Sequence, residues 1–214
     1  MPANLLSGEH QKKCIEGSKF LSALNQDWNL LVSSVGPCEF SLNLELEPYQ
    51  ALIKSVIFQQ LRPTSATAIF KRFKQNFNGY FPTAEQILIS TEEELKACGL
   101  SSNKLKTIIE ISSQFEKAEF DNREGFHVMS DNQIIEKLTK IKGIGEWTAQ
   151  MLMIFNLGRP DVFPVGDFAL RKNYALFKKM SLPISVTELT KISSNWQPYR
   201  SIAAWYLWQY KILK

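Results

Sequence analysis

Several residue types that would each define a chemistry are scarce in this chain. It holds two histidines, His10 and His127, and three cysteines, Cys14, Cys38 and Cys98, with no Cys-x-x-Cys pair. The sequence therefore offers no zinc site and no iron–sulfur cluster, and the scattered thiols read as free cysteines of a reducing compartment. No apolar run approaches the ~18 residues of a membrane helix, so no membrane span is expected. The opening MPANLLSGEHQKKC lacks an apolar core followed by a small-residue cleavage site, so secretion is not expected either. Repeats, low-complexity tracts and linker-like stretches are also missing.

What is present is 214 residues that are 44% hydrophobic, enough for one domain or two interleaved lobes with a real core. The net charge is only +4, but from Asp167 onward eight Lys/Arg face two acids. That asymmetry predicts a side turned toward a polyanion, with an ordinary solvated basic surface as the alternative.

Helix punctuation is dense. Thr83…Gln86, Ser90…Glu93, Ser130…Gln133 and Ser185…Glu188 each match the capping box, in which two side chains satisfy free amides at a helix start. Apolar residues recur at helical spacing between them, as in Leu52/Val56, Ile69/Phe73 and Ile134/Ile135/Leu138. Gly99 and Gly158 fall where helix C-terminal caps belong. Only Phe40–Leu46 alternates with period two, which predicts one short strand or extended segment. The expectation is a mostly α chain of around eight to ten helices.

One corner stands out. LTKIKGIGEWTAQMLMIF, residues 138–155, turns from a helix over 130–141 into another over 146–156 through Lys142-Gly143-Ile144-Gly145. Glycine permits positive φ and leaves the backbone uncovered, so amides at the next helix start can face an anion such as a DNA phosphate. Ile144 would point inward and Lys142 would add a cation. A plain αα-turn would use the same residues.

Further along, DVFPVGDFALRK (161–172) delivers Asp167 through a Gly/Pro loop to a helix start. Together with EPYQALIKSVIFQQL (47–61), LTKIKGIGEWTAQM (138–151) and WQPYRSIAAWYLW (196–208), in that order, it resembles the helix-hairpin-helix, Gly/Pro-rich loop, aspartate (HhH-GPD) superfamily of DNA glycosylases. The nearest likeness is to the 3-methyladenine DNA glycosylase II branch in compact form. Asp167 follows Trp147 by twenty positions, a spacing that fits the family.

The resemblance implies an all-α fold of two helical lobes around a DNA-binding cleft. It implies a single domain over residues 1–214, with 1–45 packing on the C-terminal lobe and the helix-hairpin-helix at 130–156. The implied activity is monofunctional hydrolysis of the N-glycosidic bond of alkylated purines in double-stranded DNA. Asp167 matches the catalytic aspartate, a fixed carboxylate suited to an oxocarbenium-like transition state; alone, it would read as a helix N-cap.

Trp147, Met151, Phe168 and Trp208 match positions lining the base pocket, where aromatic faces stack on an electron-poor base. Without the family each would read as core. Met151 departs from the pattern, since an aromatic often stands there. Gln60 and Leu61 match the loop that wedges the duplex, Leu61 being otherwise a loop anchor. Lys142, Gly143, Ile144 and Gly145 match the phosphate-binding hairpin, whose carbonyls in this family often hold Na or K as a structural ion; no other cofactor is implied. Arg200 reads as an ion-pair or phosphate residue.

Trp147 also replaces the lysine that lyase-type relatives use as a Schiff-base nucleophile, and no cysteine follows Cys98 to build their iron–sulfur loop. Two alternatives stay open: a non-catalytic helix-hairpin-helix protein that binds damaged DNA, and a lyase-type glycosylase for oxidised bases. A monomer is expected, cytoplasmic and nucleoid-associated in a bacterium or nuclear in a eukaryote.

Overall fold

The computed structural model describes residues 3–117, 122–180 and 183–210. Lys211 and Lys214, counted in the basic C-terminal balance, lie outside them. Thirteen α-helices and one 3-10 turn are present among the described residues, and no strand. They are α1 (Ala3–Leu24), α2 (Gln26–Val35), α3 (Pro48–Phe58), α4 (Pro63–Gln75), α5 (Ala84–Ile89), α6 (Glu92–Ala97) and α7 (Ser102–Glu116). Then follow α8 (Arg123–Val128), α9 (Asp131–Thr139), α10 (Glu146–Phe155), α11 (Phe168–Phe177), α12 (Val186–Ser193), the 3-10 turn Ser194–Trp196 and α13 (Arg200–Gln209). The helix count exceeds the sequence expectation because α5, α6 and α8 have six residues each, too short to show a period of their own.

Three capping boxes stand as read, at Thr83, Ser130 and Ser185. The fourth is displaced by one residue. Ser90 closes α5, donating its hydroxyl to the Gln86 carbonyl at 2.7 Å, and Thr91 opens α6. Thr91 Oγ1 accepts the Glu94 N–H at 3.2 Å, while the Glu94 carboxylate accepts the Thr91 N–H at 2.9 Å. The run Ser-Thr-Glu-Glu-Glu fits both registers, and the end of α5 decides between them. Asn25, Ser101, Asn122 and Asp167 cap four further helices with single side-chain bonds, each worth about 1 kcal/mol. Gly99 and Gly158 both have positive φ, +95° and +69°, as C-terminal caps require.

No strand forms over Phe40–Leu46: the segment is irregular and turns at Leu44-Glu45. Phe40 is pinned where it starts, its carbonyl 2.8 Å from His10 Nε2 and its ring edge-on to Phe155. The alternation of residue types here finds no partner strand among the described residues.

The chain divides into two compact units, Met1–Leu42 with Met153–Lys214, and Asn43–Leu152. The first is built around Trp196, whose ring meets those of Trp28, Phe163 and Tyr174 at 5.3, 5.1 and 5.7 Å. Within it α1 meets α13 closely: a Cβ on Gly17 would stand 3.1 Å from Tyr199 and Ile202. Tyr206, fully buried, donates to either Ser18 or the Gly36 carbonyl, 2.8 and 3.0 Å away. The second unit centres on α7, which packs against α3, α5 and α6. Leu52, Ile53, Val56 and Ile57 of α3 and Leu105, Ile108 and Ile111 of α7 are buried there. Arg123 Nη2 donates to the Leu46 carbonyl at 2.7 Å and fastens the start of that unit.

Cys14 lies in the first unit with its sulfur 3.5 Å from His10 Nε2, and Cys38 borders the same ~370 Å³ cavity. Hydrogen bonds from Cys38 and then His10 pull the Cys14 thiol down to about 5 against the effect of burial, while the same contact pushes Cys38 up. Burial pushes Cys98 up. Cys14 is thus the more readily ionised thiol, and its alkylation by N-ethylmaleimide should rise less steeply with pH between about pH 6 and about pH 8 than that of Cys98. Cys98 should accelerate by about tenfold per pH unit over that window. Peptide mapping of partially labelled protein separates the two profiles.

Candidate active site

The hairpin corner uses its two glycines for different reasons. Ile141 and Ile144 point into the core, 2% and 4% exposed, and the Ile144 N–H closes on the Ile141 carbonyl at 3.0 Å. Gly143 has φ +97°, and a Cβ there would lie 2.1 Å from Thr107 Oγ1 on α7. No residue with a side chain fits, so the fold alone accounts for this glycine. Gly145 has no positive φ and faces open space. Its carbonyl accepts the Ala149 N–H at 3.1 Å, which makes it the residue before α10 proper. Most helices here carry a capping side chain at that position, whereas Gly145 has none to offer. The start of α10 is a helix N-terminus whose first turn carries Glu146, with exposed Lys142 close by in the corner.

Within the same unit, α3 stops at Phe58 and the chain turns sharply. Gln59 adopts φ −54°, ψ 132° and Gln60 φ +54°, the pattern of a type II turn with glutamine where glycine is preferred. Leu61 is 38% exposed, which rules out the loop-anchor reading. Pro63 then starts α4. Lys104 of α7 donates to the carbonyls of Ile57 and Gln59 at 2.7 and 2.9 Å, and the Gln59 side chain donates to Thr148 Oγ1 on α10 at 3.4 Å. The turn is therefore joined to the helix that follows the hairpin.

In the other unit, the loop before Asp167 is bracketed by the start of α13. Arg200 makes a two-pronged pair with Asp161, Nε to Oδ1 at 2.8 Å and Nη2 to Oδ2 at 2.9 Å. Buried Ser201 Oγ donates to the Arg159 carbonyl at 2.7 Å and accepts the Val162 N–H at 2.9 Å. Of the two roles read for Arg200, the structure gives it the ion pair. A turn from Pro164 to Asp167, closed at 2.9 Å, presents the carboxylate at the head of α11. Oδ1 accepts the Leu170 N–H at 2.8 Å, so Asp167 is an N-cap and its half-buried carboxylate is oriented by that bond.

The four aromatic-pocket positions divide between the units. Trp147 on α10 is 48% exposed, and half-buried Met151 follows one turn later. Phe168 is 61% exposed, next to Asp167, with the Arg171 guanidinium 5.7 Å from its ring centroid. Trp208 is half-buried and stacks on Phe155 at 5.8 Å. On the same helix Tyr206 is core, Trp205 lies edge-on against it, and Tyr210 packs near Phe177. Trp147 and Phe168 are thus the two large exposed aromatics at helix starts among the matched positions.

Lys104, Thr107, Arg171 and Ser201 escape sequence reading. Lys104 and Thr107 act on residues about 40 positions away, a separation at which no local pattern reports contact. Arg171 is visible in principle, as the i+3 neighbour of Phe168.

Residues 53–196 match the HhH-GPD superfamily of base excision DNA repair proteins, and the chain belongs to that family. Among its relatives is DNA-3-methyladenine glycosylase 1 of Schizosaccharomyces pombe, 39% identical over 88% of this chain and 84% of the relative. The alkylbase DNA glycosidase-like protein mag2 of the same yeast is 34% identical over 89% of this chain and 91% of its own length. The crystallised S. pombe 3-methyladenine DNA glycosylase Mag1, in complex with abasic DNA, superposes with a TM-score of 0.82. It has 37% identity and covers 91% of this chain and 95% of that one.

The different origins of the two glycines give opposite expectations. Gly143→Ala should lose about 2–4 kcal/mol of stability through the clash with Thr107 and the left-handed backbone. Gly145→Ala should stay within about 1 kcal/mol of the parent and instead weaken DNA binding. Thermal melts paired with duplex titrations check both.

Proposed function

We propose that the protein is a monofunctional DNA glycosylase that hydrolyses the N-glycosidic bond of alkylated purines, 3-methyladenine among them, in double-stranded DNA. The observation that carries this reading is Asp167: a carboxylate in the family position, oriented by the Leu170 amide at 2.8 Å on a loop bracketed by Asp161–Arg200 and Ser201. Names of relatives identical at more than a third of the aligned positions support the same reaction and base class.

Breaking the bond at C1′ builds positive charge on the sugar. A carboxylate held in place stabilises that charge without reorganising, or orients the water that attacks. A base already made cationic by alkylation leaves without a strong general acid. His10 does not serve as one, being buried and engaged with the Phe40 carbonyl. The exposed rings of Trp147 and Phe168 suit stacking on an extruded, electron-poor base. Leu61, exposed on its strained turn, suits the gap left in the duplex, with Gln60 beside it. The start of α10 takes a backbone phosphate. Trp147 has no amine, so the product is an abasic site and the strand is not nicked.

The corner 139–145 contains no carboxylate, and its main-chain carbonyls are neutral oxygen donors. That donor chemistry fits a hard monovalent cation such as Na or K, which would neutralise nearby phosphate charge when bound. We read the enzyme as a monomer that needs no other cofactor.

Asp167→Asn keeps an oxygen acceptor for the cap and removes the charge. Release of 3-methyladenine from methylated duplex should fall by about a hundredfold or more, read by chromatography of the freed bases. Borohydride should trap no covalent complex between the wild-type protein and DNA; efficient trapping would contradict the monofunctional mechanism.

A further inference from the structure

A single face of α7 supports both loops that the proposed function assigns to DNA. Lys104 and Thr107 stand one helical turn apart on it. Thr107 is buried and limits how far the hairpin can approach, since Gly143 sits directly against its side chain. Lys104 reaches the last carbonyls of α3, donating to Ile57 and Gln59. Those carbonyls form the negative end of the α3 dipole, where an ammonium is well placed.

The bond to Gln59 has a specific effect. Gln60 holds φ +54° without being glycine, a strained conformation that lasts only when its surroundings enforce it. Two restraints act on the residue before it, Lys104 on the Gln59 carbonyl and Thr148 on the Gln59 side chain. Without them the turn relaxes, and Leu61, two residues beyond Gln59, loses its fixed direction.

We infer that Lys104 is a positioning residue for duplex insertion: by fixing the Gln59 carbonyl it holds the strained Gln60 turn that presents Leu61. It touches no substrate and acts through the turn. The inference rests on the proposed function for its biological meaning, but loop insertion can be measured without base release.

The test uses full-length protein and a duplex containing a stable abasic analogue beside 2-aminopurine, whose fluorescence changes when a side chain enters the stack. Leu61→Ala sets the signal for no insertion. Lys104→Met should lose most of the wild-type change, and its preference for abasic over intact duplex should fall by about tenfold. Lys104→Arg, which keeps a cationic donor, should restore both. General destabilisation would lower melting temperature and all DNA binding together, and arginine would not selectively rescue it. If Lys104→Met does not fold, Lys104→Gln, with a single neutral donor, should fall between the extremes.

A wild-type fluorescence change in folded Lys104→Met would overturn the inference, as would no change with the wild-type protein. A wild-type protein that fills the gap but releases no alkylated base would overturn the proposed activity and leave the role of Lys104 standing.

Discussion

The corner at Gly143 can form only because position 143 has no side chain. Thr107 occupies the space a Cβ would need, and φ +97° would strain any other residue on separate grounds. That one contact sets the approach of α10 to α7 and so decides where the first amides of α10 stand.

Two helix starts show how the same backbone physics serves opposite ends. At α11 the amides are met by Asp167, and the bond to Leu170 fixes the carboxylate's direction. At α10 the capping position is held by Gly145, which has no side chain, and on the proposed function that helix start meets a backbone phosphate. In the first case the helix organises a negative group; in the second it receives one. An enzyme that must hold a polyanion and stabilise a nascent sugar cation needs both arrangements, and this chain makes each from a short loop entering a ten-residue helix.

Much of this was legible in the sequence because it is local. Ser130, Thr83 and Ser185 announce their helices through bonds three residues long, and the Gly-Ile-Gly corner and the Asp167 loop are contiguous. Where two local registers compete, as at Ser90 and Thr91, local reading picks the wrong one because the preceding helix is the arbiter. Of the two forms expected for the period-two run after Phe40, the strand did not appear for a related reason: alternation means strand only where a partner backbone exists. Least legible were the supports. Lys104 is an ordinary lysine on a helix surface until the carbonyls of Gln59 and Ile57 are found within its reach. The sequence also could not separate the causes of the two glycines, since one answers to Thr107 and the other to open solvent.

The division of the chain has a bearing on how the molecule is made. The unit from Asn43 to Leu152 is contiguous, so every contact it needs exists once α10 has been synthesised. The other unit joins Met1–Leu42 to Met153–Lys214, and α1 and α2 must wait for the far end of the polypeptide before they can close their core. A ribosome stalled soon after α10 would therefore carry the hairpin and the wedge turn but neither Asp167 nor its bracket. On the proposed function, such a product would hold the elements assigned to DNA and lack the carboxylate assigned to catalysis.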